Sequence, residues 1–418
     1  MRIAIAVVLA GCGMSAEAPV SDVPEAPGKD DGGGFTVTGA KAWYLAGNGL
    51  TPGDDQVELA IDGAAGTGVV DVWLDRHYAG RATADFTFAL PLADVAIGEH
   101  QLLLAADGAR IAFAEVRFQR SHPLYIAVSN DWDNADNGDP MLERQERLHA
   151  RHPELVITHF VGPYTFTDPT VSTARRQFLV NWVTTLAREH GDEIGLHVHP
   201  WCNFVTAAGV TCRTSPSFAY ATGDSTGYTV MLGSYTEAEL EKLFRRATEL
   251  FEANGLPAPT SFRAGGWTAE LHVLKALVTA GHVADSSGCN WARIEEWEHH
   301  AGAELFPWNR EHWGPIDETS QPYYPSTTDI LATTGPRLSI LEVPDNGALV
   351  DYVSGAEMID MFHANWVDGR ALAEPHVYAI GYHPPNFSEA YFDRIDQALT
   401  EIDRHVAGAG PVVYARMS

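Results

Sequence analysis

The chain is poor in cysteine and in basic residues, and it has no long apolar run. It carries four cysteines in 418 residues and no Cys-x-x-Cys spacing, which argues against a structural zinc ribbon. Lys and Arg number 27 against 55 Asp and Glu, a formal net charge of −28. A surface that acidic repels phosphate backbones and anionic lipid faces, so nucleic acid is not an expected partner. No segment reaches the roughly 20 apolar residues of a membrane helix, and no internal repeat is present. The length allows two or three domains.

What is there begins with Met1-Arg2, an apolar stretch from Ile3 to Ala10, and Gly11-Cys12. A positive start, a short apolar core and small residues before the cysteine fit an export signal. Leu9-Ala10-Gly11-Cys12 resembles the lipobox of bacterial lipoproteins. The resemblance implies a signal over residues 1–12, a lipidated Cys12, and contact with the membrane through acyl chains only. Gly13 replaces the aspartate that commonly retains lipoproteins at the inner membrane, which points to the outer membrane or cell surface. Residues 13–34, rich in Pro, Gly, Ala and Asp, read as a flexible linker. Export favours oxidised thiols. A Cys202–Cys212 disulfide would brace the loop beyond His199 and leave Cys289 unpaired, although the sequence does not fix the pairing.

Residues 35–120 show strand-like runs at 35–45, 56–62, 68–79, 84–93, 98–107 and 109–119, separated by turn signals such as Thr51-Pro52-Gly53 and Asp107-Gly108. Short strands at near-regular spacing predict a small all-β, immunoglobulin-like sandwich, a spacer or a sugar-binding module. From residue 121 to 418 strands alternate with helices. Strands are expected near 124–129, 155–160, 193–199, 260–263, 282–286, 338–343, 376–383 and 411–415. Asp139-Pro140 reads as N-cap and first helical residue. Thr236 with Glu239 reads as a capping box for a helix that Gly255 ends, and Ser388 opens the last long helix. Such alternation predicts an α/β domain with a parallel sheet, open or closed into a barrel. In either form, functional residues gather at the carboxyl ends of strands.

Those ends carry candidate chemistry. In Glu193-Ile-Gly-Leu-His-Val-His-Pro-Trp201, His197 and His199 stand at i and i+2 of a strand. They leave the same face about 6.6 Å apart and can share one zinc-sized ion at bonds of about 2.0 to 2.1 Å. Asp131 and Asp133 end the first strand: one can ligate a metal while the other takes a proton from water. The rival reading is a turn-capping or calcium-like acidic loop with Asp136 and Asp139. Arg263, between Phe262 and the turn Gly265-Gly266-Trp267, is placed to grip a carboxylate with two nitrogens; otherwise it is a surface arginine. Asp285 orients a histidine or caps a segment, and His383 donates a proton or caps a loop. Residues 289–337 hold Trp291, Trp297, Trp308, Trp313, Tyr323 and Tyr324, which either stack on sugars or pack a lid. His299, His300 and His312 are rival ligands in the same stretch.

The ordered set, over residues 121–418, resembles the polysaccharide deacetylases, carbohydrate esterases of family four with a distorted (β/α) barrel of about seven strands. Five motifs match in order: Ser129-Asn-Asp-Trp-Asp133, Glu193-Ile-Gly-Leu-His197, Phe262-Arg-Ala-Gly265, Asp285-Ser-Ser287 and Tyr382-His-Pro384. The resemblance implies Asp131 as base and Asp133, His197 and His199 as ligands of a divalent metal, zinc above others. It further implies Arg263 steadying the base and His383 as acid, oriented by Asp285. Trp132 splits the usual adjacent aspartates. Trp201 stands where the second histidine usually lies, and His199 substitutes for it. The implied activity is removal of acetyl groups, N-acetyl first, from a polysaccharide or oligosaccharide. Two other classes compete: a non-catalytic glycan-binding surface lipoprotein, and a glycoside hydrolase pairing Asp131 or Asp133 with a carboxylate such as Glu342.

Overall fold

The computed structural model describes residues 23–27, 35–47, 53–62, 69–82, 87–214, 218–221, 223–295 and 305–418. The expected export signal with Cys12, most of the expected linker, and Trp297, His299 and His300 lie outside the described residues. Within the linker range, Glu25 pairs with Ile111 in an isolated bridge, and Val23 packs against Trp73, Leu103, Ala105 and Ala112. These residues therefore belong with the body rather than with a free spacer.

The chain divides into two compact units, residues 1–44 with 52–120, and residues 45–51 with 121–418. The first unit is all β. Its strands are β1 (Thr36–Thr38), β2 (Trp43–Leu45), β3 (Gln56–Asp62), β4 (Val70–Leu74), β5 (His77–Ala82), β6 (Thr87–Pro91), β7 (Gly98–Ala106) and β8 (Ala114–Ser121). They form a three-stranded sheet, β1-β3-β6, and a five-stranded sheet, β2-β8-β7-β4-β5. In β3 exposed and buried residues alternate strictly, so Val57, Leu59 and Ile61 share one face. They meet Val70, Val72, Leu102, Leu104 and Phe118 of the other sheet in one core, a sandwich as the spacing of turns predicts.

The second unit is a parallel sheet with strands β9 (Leu124–Asp131), β10 (Ile157–Val161), β11 (Glu193–Val198), β12 (Ser261–Ala264), β13 (Ala284–Asp285), β14 (Leu341–Glu342), β15 (His376–Tyr382) and β16 (Val412–Tyr414). The order is β14-β13-β12-β11-β10-β9-β15, with β16 beside the start of β9. Helices α1 (Asp139–Arg151), α2 (Tyr164–Thr167), α3 (Thr173–His190), α4 (Cys202–Ala207), α5 (Glu237–Ala253), α6 (Leu271–Ala280), α7 (Leu305–Trp313), α8 (Gly355–Asn365) and α9 (Glu389–Ile402) alternate with the strands. Every residue of β9, β10, β11 and β12 is buried, the signature of strands covered on both faces. The ring closes irregularly. Between β14 and β15 the chain runs without regular strand, and the Gly347 and Val350 N–H groups donate to the Ala379 and Gly381 carbonyls at 2.8 and 2.9 Å. The result is a distorted barrel, as expected.

Register decides what faces inward. Asp131 lies opposite Phe160, Phe160 opposite Gly195, and His197 opposite Arg263. Side chains in register on parallel strands share a face, so Asp131, His197 and Arg263 look into one interior. Gly195 lacks a side chain because the space is taken: a Cβ there would sit 2.5 Å from Ser261 Oγ and 2.7 Å from the Phe160 ring. That ring in turn supports the Arg263 guanidinium at 5.0 Å. One helix start differs from expectation. Gly138 is the N-cap of α1 and Asp139 its first residue, because Asp139 is drawn outward to Arg175 at 2.6 Å. The capping box at Thr236 and the Ser388 cap form as predicted.

Candidate metal centre

His197, in β11, and His199, just beyond it, are buried side by side. Their Nε2 atoms approach the same oxygen, Oδ1 of Asp133, at 3.0 and 3.3 Å. Their Nδ1 atoms are committed elsewhere, to the Arg263 carbonyl at 3.0 Å and the Tyr228 carbonyl at 2.8 Å. A carbonyl only accepts, so each Nδ1 carries a proton; with both rings neutral, each Nε2 would turn a lone pair to Asp133. Three acceptors then converge with no donor among them. The gap must be filled by positive charge, either a second proton on each ring or one cation. Zinc suits two imidazoles and a carboxylate, and imidazoles fixed through their far nitrogens are the usual bracing of such ligands. The three side chains are within 4.8 Å of one another, the one such group among the described residues.

Asp133 is steadied on every side. Its N–H donates to the Asp131 carbonyl, its carbonyl accepts from the Trp201 indole at 3.1 Å, and its Oδ2 accepts from the Tyr228 hydroxyl at 2.8 Å. Burial raises the pKa of this carboxyl, but the charges of His383 and His199 and the hydrogen bonds with His197 and His199 prevail, holding it well below the usual range.

Asp131 sits beside this cluster and is held by Arg263. The guanidinium is fully buried and places one nitrogen, Nη1, 3.2 and 3.5 Å from the two Asp131 oxygens. The grip is therefore not the two-nitrogen fork expected from sequence. Nη1 is shared with Ser129 Oγ, and Nε and Nη2 are spent on the Ser286 carbonyl and hydroxyl at 2.9 and 2.8 Å. The calcium-loop reading also falls, since Asp136 and Asp139 both pair with Arg175.

His383 faces the cluster from the end of β15, its Nε2 3.9 Å from Asp133 Oδ2. Its Nδ1 lies 3.1 Å from Asp351 Oδ2, and its N–H donates to the same oxygen. Burial lowers the His383 pKa, but the Asp351 and Asp133 carboxylates outweigh it and hold the ring at about 10.

The orienting carboxylate is thus Asp351, not Asp285. Asp285 stands in register with Phe262 and Glu342, so the alternation of β13 turns it from the face that Arg263 occupies. It accepts from the Ser287 hydroxyl at 2.7 Å and meets Glu342, whose pKa burial and then Asp285 push well above the usual range. Glu342 accepts from the Gly288 N–H at 2.7 Å and reaches no part of the cleft.

A cleft of about 420 Å³ opens over Asp131, Asp133, His199, Asp351 and His383. Its other wall is apolar and aromatic: Tyr220, Trp267, Phe306 and Tyr352. Two of the aromatics singled out in the 289–337 stretch do other work. Trp291 and Trp313 are buried, and the Trp313 indole donates to the Trp267 carbonyl at 2.8 Å. They pack the insertion, as the second of the two readings has it. His312 stacks on Trp308 with centroids 3.8 Å apart and joins no cluster of metal-ligating groups among the described residues. The Cys202–Cys212 disulfide forms, and Cys289 is free and buried.

No family model and no curated protein matches the chain. Among solved structures it is similar to a Mycobacterium smegmatis protein provisionally named a polysaccharide deacetylase, at 15% identity and TM-score 0.41, over 71% of this chain and 87% of that one. It is similar to a family 4 carbohydrate esterase from Streptomyces lividans at 11% and 0.34, over 71% and 94%. A 4-alpha-glucanotransferase from Thermococcus litoralis gives 9% and 0.40, over 70% and 38%. At such identities and scores these likenesses carry no functional argument.

Proposed function

We propose that the cleft is the active site of a metal-dependent hydrolase that removes acetyl groups, N-acetyl by preference, from a polysaccharide or oligosaccharide. The observation that carries this reading is the convergence of His197 Nε2, His199 Nε2 and Asp133 Oδ1 on one point, both imidazoles being fixed by carbonyls. These three residues would hold the cation, zinc in first place. When bound, it supplies Lewis acidity, drawing charge from a carbonyl and easing loss of a proton from water.

The chain's own groups supply the rest. Asp131, anchored by Arg263, which Ser129 holds in turn, faces the cleft as the acceptor of the attacking water's proton. His383, charged and aligned by Asp351, gives a proton to the departing group. An amine leaves only when protonated, whereas an alkoxide depends less on such help, which favours the N-acetyl substrate. Tyr220, Trp267, Phe306 and Tyr352 offer faces on which a sugar ring can lie. The disulfide supports an oxidising compartment, in keeping with an exported protein tethered through Cys12.

The glycoside hydrolase reading loses Glu342, which is buried against Asp285, and the other cleft carboxylate, Asp351, is taken up by His383. A purely glycan-binding role leaves the Asp351–His383 pair without a use. Acetate release from N-acetylated oligosaccharides, with metal content measured on the same preparation, tests the proposal. Asp131→Asn and His197→Ala are each expected to abolish release, and release that survives both overturns it.

A further inference from the structure

Tyr228 lies on no strand or helix, and no motif of the sequence points to it, yet it touches the candidate cation seat three times. Its hydroxyl donates to Asp133 Oδ2 at 2.8 Å. Its carbonyl accepts from His199 Nδ1 at 2.8 Å. Its ring stacks on the His199 ring, with centroids 4.2 Å apart and planes 28° apart. One residue therefore fixes the free oxygen of the carboxylate and both the tautomer and the plane of an imidazole.

The loop that carries Tyr228 is itself pinned. Asp224 Oδ1 accepts from the N–H and hydroxyl of Thr226 at 2.7 and 2.6 Å, and its Oδ2 from the N–H and hydroxyl of Thr229 at 2.8 and 2.9 Å. The Thr226 carbonyl accepts from the Cys202 N–H at 2.8 Å. Gly227, at φ +85°, lies flat on the bridge: a Cβ there would stand 2.4 Å from the Pro200 carbonyl oxygen and 3.2 Å from Cys212 Sγ. The Cys202–Cys212 disulfide is thus the floor under the turn that presents Tyr228.

We propose that Tyr228 is a positioning residue of the cation seat, and that the Cys202–Cys212 disulfide acts through it by holding its loop against His199 and Asp133. The inference rests on the reading of Asp133, His197 and His199 as cation ligands. Partners that orient metal ligands from behind typically set affinity by about 10–100-fold, so the loop tunes how tightly the cation is held.

The test uses the whole protein, stripped with a chelator and titrated with zinc against a chromophoric competitor, with melting followed with and without zinc. Tyr228→Phe keeps the stacked ring and removes only the hydroxyl. It is expected to weaken zinc about tenfold or more while the melting temperature of the stripped protein stays that of wild type. Asp224→Ala and the double variant Cys202→Ser/Cys212→Ser loosen the loop without touching a ligand and are expected to weaken zinc likewise. Wild-type affinity in Tyr228→Phe overturns the role of the phenol, and wild-type affinity in the double serine variant overturns that of the disulfide. A stripped Tyr228→Phe protein that has lost as much stability as the loaded one shows a merely structural residue and overturns the inference too. A wild-type protein that takes up no zinc overturns the reading of the ligands themselves, an outcome distinct from any variant result.

Discussion

Arg263→Gln should be among the costliest single changes in the barrel, and its cost can be worked from the contacts. The guanidinium is fully buried, and two buried carboxylates lean on its charge: Asp131 at 3.2 Å and Asp345 at 3.8 Å. Removing one partner of a buried ion pair leaves an uncompensated charge and costs about 3–5 kcal/mol. Arg175 is the control. It pairs with Asp136 and Asp139 at 2.8 and 2.6 Å, shorter distances, but those carboxylates are 45% and 65% exposed. An exposed pair contributes about 0.2–1 kcal/mol, so Arg175→Gln should cost several-fold less despite the tighter geometry. Urea unfolding followed by near-ultraviolet circular dichroism measures both. Because the penalty is an orphaned charge, adding Asp131→Asn to Arg263→Gln should restore part of the loss. An Arg263→Gln protein within about 1 kcal/mol of wild type, or a double variant no more stable than the single one, would refute the argument that burial rather than distance sets the cost.

Three further outcomes are expected. Asp351→Asn removes the partner of His383, and acetate release from an N-acetyl substrate should fall about 100-fold or more, the usual worth of a placed acid, with a smaller fall on an O-acetyl ester; equal losses on both would count against His383 as donor. Gly265→Ala would bring a Cβ to 2.6 Å from the His199 ring, so zinc affinity should drop about tenfold in a protein that still folds, as competition titration can read. His282 is buried against Phe244 and Phe262, and burial, outweighing the Leu277 backbone beside the ring, lowers its pKa to about 4. The unfolded chain takes up that proton first, near pH 6.5, so the share of stability that depends on this ring should fall as pH drops from about 6.5 to 4 and level off below. The loss totals about 3 kcal/mol, and a His282→Leu protein with the same acid dependence as wild type would contradict it.

The sequence by itself determined the barrel strands and the groups at their ends. Strand runs such as 124–129 and 376–383 are short, apolar and bounded by turn residues, and they match β9 and β15 closely. Strand periodicity is local, so the convergence of His197 and His199 follows from spacing alone. Asp131, Asp133, Arg263 and His383 are legible for a related reason, since each follows or ends a buried run. Only the tertiary structure decided which carboxylate serves His383. Asp285, at a strand end, is the candidate legible in sequence, but it faces away with Phe262, while Asp351 lies in the irregular stretch that closes the ring against β15. Tyr228, Tyr220 and Tyr352 were invisible as cleft residues for the same cause. Loops have no period, and their course is set by distant contacts, here a disulfide, the Asp224 pins and the Gly347 and Val350 hydrogen bonds, that exist only once the chain has folded.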